Sequence, residues 1–309
     1  MSKPVLGVVG LGIMGGAMAE ALVKAGYTVY GYDVVPAAMR RLKEAAGHPL
    51  KSAAAVAEKS DLIIVSLSTT QALDSVVDDI CASKVSKDAK KIVIETSTLP
   101  LGDKEAAYKK LKRQGLDVLD CPISGTAVRM KERAWTVFVS GSKSAAKRVD
   151  TVLRVFTDKV PYVGVYGNGT KMKFSANHLV AIYNVACAES VNLARKMGLD
   201  PQHVLDMFGN SPIIGTGVMR LRMPFMIDRH YEPPTMKVEV WQKDMQVIGD
   251  LAKAVDCPTP LFTACASIYT SAMAQGLAQQ DTASVSEVLA NMAGVPARKT
   301  TRKAARQPD

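Results

Sequence analysis

The pattern of apolar and polar positions changes near the middle of the chain. In the first half, short β-branched runs alternate with stretches of helical periodicity, which is typical of βαβ units on a mainly parallel sheet. Strands are predicted at residues 5–9, 28–32, 62–67, 91–95, 118–119 and 137–140. From about Lys171 onward, strand-like runs nearly vanish and helical patterns rich in Ala, Leu and Met replace them. Helices are predicted there at residues 172–197, 201–208, 238–254 and 260–275.

This change predicts two domains and a tail. An α/β domain with a doubly wound sheet covers residues 1–166, an all-α domain covers 167–297, and a basic tail that we expect to be disordered covers 298–309. The boundary falls in a Gly-Asn-Gly turn within residues 166–170.

A glycine-rich turn joins the first predicted strand to the first predicted helix. Its residues are Gly10, Leu11, Gly12, Ile13, Met14 and Gly15. Glycines in the spacing GxGxxG allow a tight turn, a close approach of the backbone to a pyrophosphate and close packing of helix on strand, while the helix N-terminus supplies amide donors. Asp33 ends the second strand 23 positions after Gly10. The pattern indicates a Rossmann-type dinucleotide-binding domain.

Asp33 also predicts which dinucleotide is bound. A carboxylate at this position accepts hydrogen bonds from the two ribose hydroxyls and repels a 2′-phosphate, so we predict NAD rather than NADP. Two alternatives stay open. Asp33 could cap the following turn, and Arg40 and Arg41 could serve a 2′-phosphate, although a solvated helix face is the simpler role for both arginines.

Hydroxyl-rich turns follow two further predicted strands. Ser66, Leu67 and Ser68 follow one apolar strand, and a Thr-Ser-Thr turn ending at Thr98 follows the next. Ligands of open α/β sheets bind outside the carboxyl ends of the strands, so we expect Leu67, Ser68 and Thr98 to reach the cofactor. Spacing alone is equally compatible with plain Ser/Thr turns.

The second half opens with glycines at 164, 167 and 169, followed by Lys173 and Asn177. The glycines bring backbone into close approach at the head of a long helix. Residues four positions apart share one helix face, so Lys173 and Asn177 lie one turn from each other. Lys171, two positions before Lys173, points away. The arrangement places one ammonium group and one amide side by side.

The chain has a dinucleotide-binding glycine turn followed by the pattern GxxGxGxxxKxxxN. In this it resembles the β-hydroxyacid dehydrogenase family, whose 6-phosphogluconate dehydrogenase-like members include 3-hydroxyisobutyrate dehydrogenase and tartronate semialdehyde reductase. The resemblance covers nearly the whole chain in four ordered blocks. The blocks are residues 10–15, 120–125, 164–177, and Lys243-Asp244 with the later stretch 276–281.

The resemblance implies a hydride transfer between NAD and a small 3-hydroxy acid. Lys173 would be the catalytic lysine that moves the proton at the substrate oxygen, which requires a pKa below its usual value of about 10.4. Asn177 would bind the substrate hydroxyl, and Lys243 would close over cofactor and substrate. Thr98 would lie near the nicotinamide.

The substrate carboxylate would lie on Ser124, Gly125 and Thr126. The family usually has Ser-Gly-Gly here, so Thr126 is a departure, and Arg129 and Lys131 add charge nearby. A threonine hydroxyl could recognise an extra hydroxyl, which makes a sugar acid of about four carbons, similar to threonate, the nearest alternative substrate.

Two rival functions remain. An imine reductase shares the architecture, but such enzymes replace the catalytic lysine, and Lys173 argues against it. The rival from another class is a catalytically silent dinucleotide-binding or chromatin-associated protein, which the basic tail suggests. The family resemblance also implies a homodimer or homotetramer, with the helical domain serving substrate binding and dimerisation.

Composition restricts the partners further. The 309 residues are 48% apolar and 22% charged. No apolar run approaches the ~20 residues needed to cross a bilayer, and no secretory signal pattern is present. We therefore expect a cytoplasmic protein with no membrane partner. The net charge is +10, of which the tail carries five basic residues and one acidic residue. The remaining +6 suits an anionic cofactor and substrate, and the tail lacks aromatic residues that stack on bases, so we expect no nucleic acid partner.

The cysteines and histidines predict neither disulfides nor a metal site. The five cysteines are odd in number and scattered, without a CxxC pair, and the four histidines form no ligand spacing. We expect reduced core thiols.

Overall fold

A computed structural model describes residues 3–86, 90–125, 130 and 132–296. It divides into two compact units, one ending at Asn177 and one beginning at His178. This division lies inside a long helix, eleven residues beyond the boundary placed at residue 166 from the sequence. The first unit carries both strands and helices, and the second is helical.

The first unit contains a sheet in the order β3-β2-β1-β4-β5-β6-β9. Its strands are β1 (Leu6–Val9), β2 (Val29–Tyr32), β3 (His48–Pro49), β4 (Leu62–Val65), β5 (Ile92–Glu95), β6 (Asp117–Asp120) and β9 (Ser140–Gly141). All pairings are parallel except that of β6 with β9. A separate antiparallel pair joins β7 (Ile123–Ser124) to β8 (Thr136–Val137). Strand order reverses between β1 and β4, the position where open α/β sheets bind ligands.

Helices cover both faces of this sheet. They are α1 (Ile13–Lys24), α2 (Pro36–Glu44), α3 (Ala53–Lys59), α4 (Thr70–Cys81), α5 (Leu101–Arg113) and α6 (Lys143–Leu153). Along β4, Leu62 and Ile64 belong to the core shared with α1 and α6, whereas Ile63 and Val65 belong to the core shared with α3, α4 and α5. Burial on both faces explains why the central strands are continuous apolar runs. The predicted doubly wound α/β fold is confirmed.

Helix α7 (Asn168–Lys196) begins in the first unit and continues into the second, which starts at His178. The helices that follow it in the second unit are α8 (Pro201–Phe208), α9 (Gly217–Asp228), α10 (Val238–Ala254), α11 (Pro260–Ala274) and α12 (Val285–Met292). Buried amides attach α7 to its neighbours: Asn184 donates to the Tyr269 hydroxyl at 2.8 Å, and Asn192 donates to the Ser286 carbonyl at 2.9 Å. Within the described residues, no helix is both long enough and apolar enough to cross a bilayer.

The structure differs from the predicted elements at several places. Strands β3 and β7 and helices α9 and α12 were not predicted, and the run 137–140 is split between β8 and β9. Strand β3 consists of one His and one Pro, so it carries no apolar signal, and α9 contains Pro224, which normally interrupts a helix. The run 62–67 ends as a strand at Val65, and its last two residues form the following turn.

Candidate active site

The glycine turn gives its three glycines different surroundings. Gly10 has a φ of +87°, and a side chain there would overlap the backbone oxygen of Ser66. A Cβ on Gly15 would overlap the carbonyl oxygen of Gly10, so α1 packs directly on the turn. A Cβ on Gly12 would meet nothing within 4 Å. The turn is therefore closed by contacts at its two ends and open at its centre.

The open centre lies at the N-terminus of α1. Gly12 is the N-cap residue, no side chain caps it, and the first turn of this described helix holds no acidic residue. First-turn amides without intrahelical partners, together with the positive end of the helix dipole, bind anions. An open cradle of this kind fits the pyrophosphate of a dinucleotide.

Asp33 follows β2 and is bonded to the same turn. Its Oδ2 accepts a hydrogen bond from the Leu11 amide at 2.6 Å, and its Oδ1 accepts one from the Val35 amide at 2.8 Å. The second bond is the turn-closing contact left open as an alternative, and the first holds the carboxylate beside the glycine turn. Arg40 and Arg41 are exposed on α2.

The hydroxyl-rich turns after β4 and β5 are bonded to each other. The Leu67 amide donates to Ser97 Oγ at 2.9 Å, and Thr96 Oγ1 donates to the last β4 carbonyl at 2.8 Å. Ser97 is buried, Thr98 is half-buried, and Ser68 is exposed. Ser97 and Thr96 therefore join the strand ends, whereas Ser68 and Thr98 are less buried than these two residues.

The predicted carboxylate loop is described only in part. Ser124 is half-buried in β7, and Gly125 is exposed with a φ of +141°. A Cβ on Gly125 would overlap the ring of the fully buried Trp135, so this glycine allows the loop to pass over the indole. Thr126, Arg129 and Lys131 lie outside the described residues.

The head of α7 explains the three glycines of the second motif. Gly164 and Gly167 have φ values of +105° and +93°, which other residues rarely adopt. A Cβ on Gly169 would lie 2.7 Å from the carbonyl oxygens of both Asp120 and Phe138. The glycines let the chain turn and then bring the start of α7 into direct contact with the backbone around β6.

Lys173 and Asn177 lie one turn apart on α7 and are 9% and 4% exposed. Lys171 is exposed. A buried lysine beside a buried amide provides one group that can hold or move a proton and one that can orient a hydroxyl or carbonyl oxygen.

A buried charged cluster was missed in the sequence. Lys104 on α5 is fully buried, and its Nζ lies 2.6 Å from Glu95 Oε2 and 2.6 Å from Asp120 Oδ1. It also donates to Thr170 Oγ1 at 2.8 Å. Burial opposes the charge of Lys104, but attraction to Glu95 and Asp120 outweighs it and raises the pKa of this lysine. The available signal was an acidic residue at the end of each of two apolar strands.

Lys243 belongs to the helical unit. It lies on α10 with its side chain 37% exposed, and its Nζ is 3.7 Å from Asp244 Oδ1. Asp244 is only 8% exposed, so this pair differs from an ion pair between two exposed side chains. The stretch 276–281 ends at Asp281, which is fully buried and accepts a hydrogen bond from Arg222 at 2.5 Å.

The structure thus brings the predicted site residues together in groups. The glycine turn, Asp33 and the turn containing Leu67 meet at the carboxyl ends of β1, β2 and β4, while Lys173 and Asn177 lie on α7. Across the described ranges, no group of three or more His, Cys, Asp or Glu side chains could hold a metal ion.

Two family models match consecutive parts of the chain. Residues 5–164 match the NAD binding domain of 6-phosphogluconate dehydrogenase. Residues 167–289 match a model described as NAD-binding of NADP-dependent 3-hydroxyisobutyrate dehydrogenase. Together they cover nearly all of the described residues in the order that the sequence blocks predict.

Individual relatives are similar over most of their length. The L-threonate dehydrogenase of Cupriavidus necator is 29% identical, over 92% of this chain and 95% of the relative. The mitochondrial 3-hydroxyisobutyrate dehydrogenase of Homo sapiens is 30% identical, over 93% of this chain and 87% of the relative. The crystal structure of 3-hydroxyisobutyrate dehydrogenase from Salmonella typhimurium is 26% identical with a TM-score of 0.80, and the match covers 93% of this chain and 100% of that one.

Proposed function

This chain belongs to the β-hydroxyacid dehydrogenase family, and on that premise we propose that it transfers a hydride between NAD and a small hydroxy acid. The observation that carries the proposal is the buried pair of Lys173 and Asn177 on α7, in a chain that also has an open glycine turn at the N-terminus of α1. A bound nicotinamide would supply the hydride acceptor at its C4 atom.

Lys173 is the proposed acid and base. In the oxidation direction, its neutral amine takes the proton from the substrate hydroxyl while the hydride leaves the carbon that bears this hydroxyl, so that a carbonyl forms. In reduction, its ammonium returns the proton to that oxygen. Asn177 orients the substrate oxygen, and proton transfer requires hydrogen-bond reach between this oxygen and the amine.

Two lysines that lie two positions apart on α7 provide a matched test of this role. Lys173→Ala should remove nearly all turnover while NAD binding persists, because proton transfer alone contributes about 10²- to 10⁴-fold. Lys171→Ala removes an exposed lysine two positions earlier and should leave turnover unchanged. Retained turnover in Lys173→Ala, or an equal loss in both variants, would overturn the assignment.

The substrate carboxylate is assigned to Ser124, Gly125 and Thr126. A hydroxyl and backbone amides suit a carboxylate, and Gly125 is exposed at this point. We propose a 3-hydroxy acid similar to 3-hydroxyisobutyrate or, in the reduction direction, a 3-oxo acid similar to tartronate semialdehyde. The second candidate is a sugar acid, because L-threonate dehydrogenases are among the similar proteins and Thr126 adds a hydroxyl. Comparing kcat/KM for 3-hydroxyisobutyrate and L-threonate separates the two.

NAD is the proposed cofactor rather than NADP. The two backbone amides that hold Asp33 fix its negative charge beside the glycine turn, where a 2′-phosphate would be repelled. Thr98, Ser68 and Leu67 would line the cofactor, and Lys243 is proposed as a further residue that binds cofactor and substrate. A rate with NADP equal to or above that with NAD would refute the argument from Asp33.

We also propose a homodimer or homotetramer located in the cytoplasm. The helical unit exposes large apolar side chains, among them Leu193, Met197 and Met207, whose exposed fractions are 58%, 64% and 72%. Extended exposed apolar surface marks association sites. Light scattering coupled to size exclusion measures the mass directly, and a monomer of 33.1 kDa would contradict the assembly.

A further inference from the structure

Three buried charged side chains meet beneath the first turn of α7. Lys104 is bound between Glu95 and Asp120, which are the last residues of the adjacent parallel strands β5 and β6. The three carry two negative charges and one positive charge, so the group is net negative. A net negative charge complements the partial positive charge of a helix N-terminus.

Thr170 connects this group to the helix. Its Oγ1 accepts a hydrogen bond from Lys104 Nζ and donates one to Asp120 Oδ1, both at 2.8 Å. Its backbone amide donates to Asp120 Oδ2 at 2.8 Å. The preceding amide, of Gly169, donates to Ser140 Oγ at 2.9 Å, and Ser140 in turn donates to Asp120.

These bonds exceed what helix capping requires. One side-chain oxygen is enough to cap a helix, whereas here a cation and an anion both bind the same threonine hydroxyl. A buried ion pair is weak evidence for stability because desolvation offsets much of its attraction. What the cluster does fix is geometry, since Gly169 also packs against the Asp120 backbone with no space for a Cβ.

Lys173 lies three positions after Thr170, on the neighbouring turn of the same helix face. We infer that Glu95, Lys104, Asp120 and Thr170 form a positioning group that sets where α7 presents Lys173. The inference rests on the proposed catalytic role of Lys173. Proton transfer depends steeply on donor–acceptor geometry, so a small displacement of α7 lowers the rate of the chemical step.

The threonine hydroxyl can be removed with little change in shape. Thr170→Val deletes both bonds of Oγ1 but keeps the backbone amide bond to Asp120, and Thr170→Ser retains the hydroxyl. We expect Thr170→Val to lower kcat by about 10- to 100-fold, with KM and NAD affinity within about twofold of wild type. Thr170→Ser should restore kcat to within about threefold. Ser175→Ala, which deletes an exposed hydroxyl on the same helix, should leave kcat unchanged.

A purely structural cluster gives a different pattern. Thr170→Val would then lower Tm while kcat of the folded enzyme stayed at the wild-type value, and this result would overturn the inference. If Thr170→Val does not fold, Ser140→Ala replaces it, because it removes the acceptor for the Gly169 amide; it should show the same loss in kcat without a change in KM.

The two proposals fail in distinguishable ways. If Lys173→Ala keeps its turnover, the catalytic assignment is wrong whatever the Thr170 variants do. If Lys173→Ala is inactive but Thr170→Val turns over as fast as Thr170→Ser, only the positioning inference is wrong.

Discussion

Gly12 and Gly15 lie three positions apart in one turn, and a methyl group should affect them in opposite ways. Gly12 has an ordinary φ of −63° and open space around its missing Cβ. At Gly15 a Cβ would lie 1.8 Å from the Gly10 carbonyl oxygen. We therefore predict that Gly12→Ala weakens cofactor binding while Gly15→Ala lowers stability.

The sizes of both effects follow from these contacts. Real Cβ atoms essentially never approach closer than 3.0 Å, so Gly15→Ala must move packed backbone by more than an ångström. Overpacking of this kind lowers the free energy of unfolding by about 1–3 kcal/mol. In a domain of this size, each kcal/mol lowers Tm by about 2–4 °C. Gly12→Ala changes only an N-cap preference, below about 1 kcal/mol. A methyl group against the pyrophosphate should raise the Kd of NAD about tenfold or more, equivalent to about 1.4 kcal/mol.

Thermal unfolding without cofactor and calorimetric titration with NAD separate the two effects. Gly217→Ala is the control, because a Cβ at this position of α9 also meets nothing within 4 Å, and it should change neither quantity appreciably. Wild-type NAD affinity in Gly12→Ala would refute the assignment of the open turn to the pyrophosphate. A wild-type Tm in Gly15→Ala would refute the close packing of α1 on the turn.

Three further predictions concern stability and thiol reactivity. Asp281→Asn leaves the buried Arg222 without its carboxylate and should cost about 3–5 kcal/mol in denaturant unfolding; a loss below about 0.5 kcal/mol would contradict the buried pair. The pKa of Glu287 is lowered because hydrogen bonds from Arg229 and Tyr231 outweigh its burial, so its stabilising effect is present above its ordinary value of 4.5 and is lost as pH falls below that. The Tm difference between wild type and Glu287→Gln should therefore shrink from pH 7 to pH 4, and a constant difference would disagree. Labelling with a thiol reagent, followed over time by mass spectrometry, should modify the exposed Cys257 first. Burial raises the pKa of the Cys121 thiol and should keep it unreactive until the protein unfolds, so early labelling of Cys121 would be inconsistent with its burial.

Local patterns in the sequence predicted much of this fold. Strand β4 is recognisable because both of its faces are buried, which makes every position apolar. The glycine turn is recognisable because its requirements lie within six consecutive residues. Strand β3 and helix α9 were missed where local signals were absent or contradictory, as at Pro224.

The cluster around Lys104 could not be predicted in the same way. Glu95, Lys104, Asp120 and Thr170 are separated along the chain, and only strand pairing and the packing of α5 bring them together. A lysine in a helix ordinarily indicates an exposed face. Lys104 does share its face with the apolar Ala107 and Leu111, unlike the exposed lysines that follow it on α5, but this register does not identify the carboxylates that pair with it. Burial of a charge depends on partners that the local sequence does not identify.

The proposed reaction is hydride transfer from a hydroxy acid to a nicotinamide dinucleotide. The most direct test follows the absorbance of reduced nicotinamide while the purified protein is incubated with NAD, or with NADP in parallel, and a panel of 3-hydroxyisobutyrate, L-threonate and serine. We predict substrate-dependent reduction of NAD by at least one hydroxy acid, abolished in Lys173→Ala and retained in Lys171→Ala. A protein that binds NAD but oxidises no member of the panel would contradict the account and favour a silent dinucleotide-binding role.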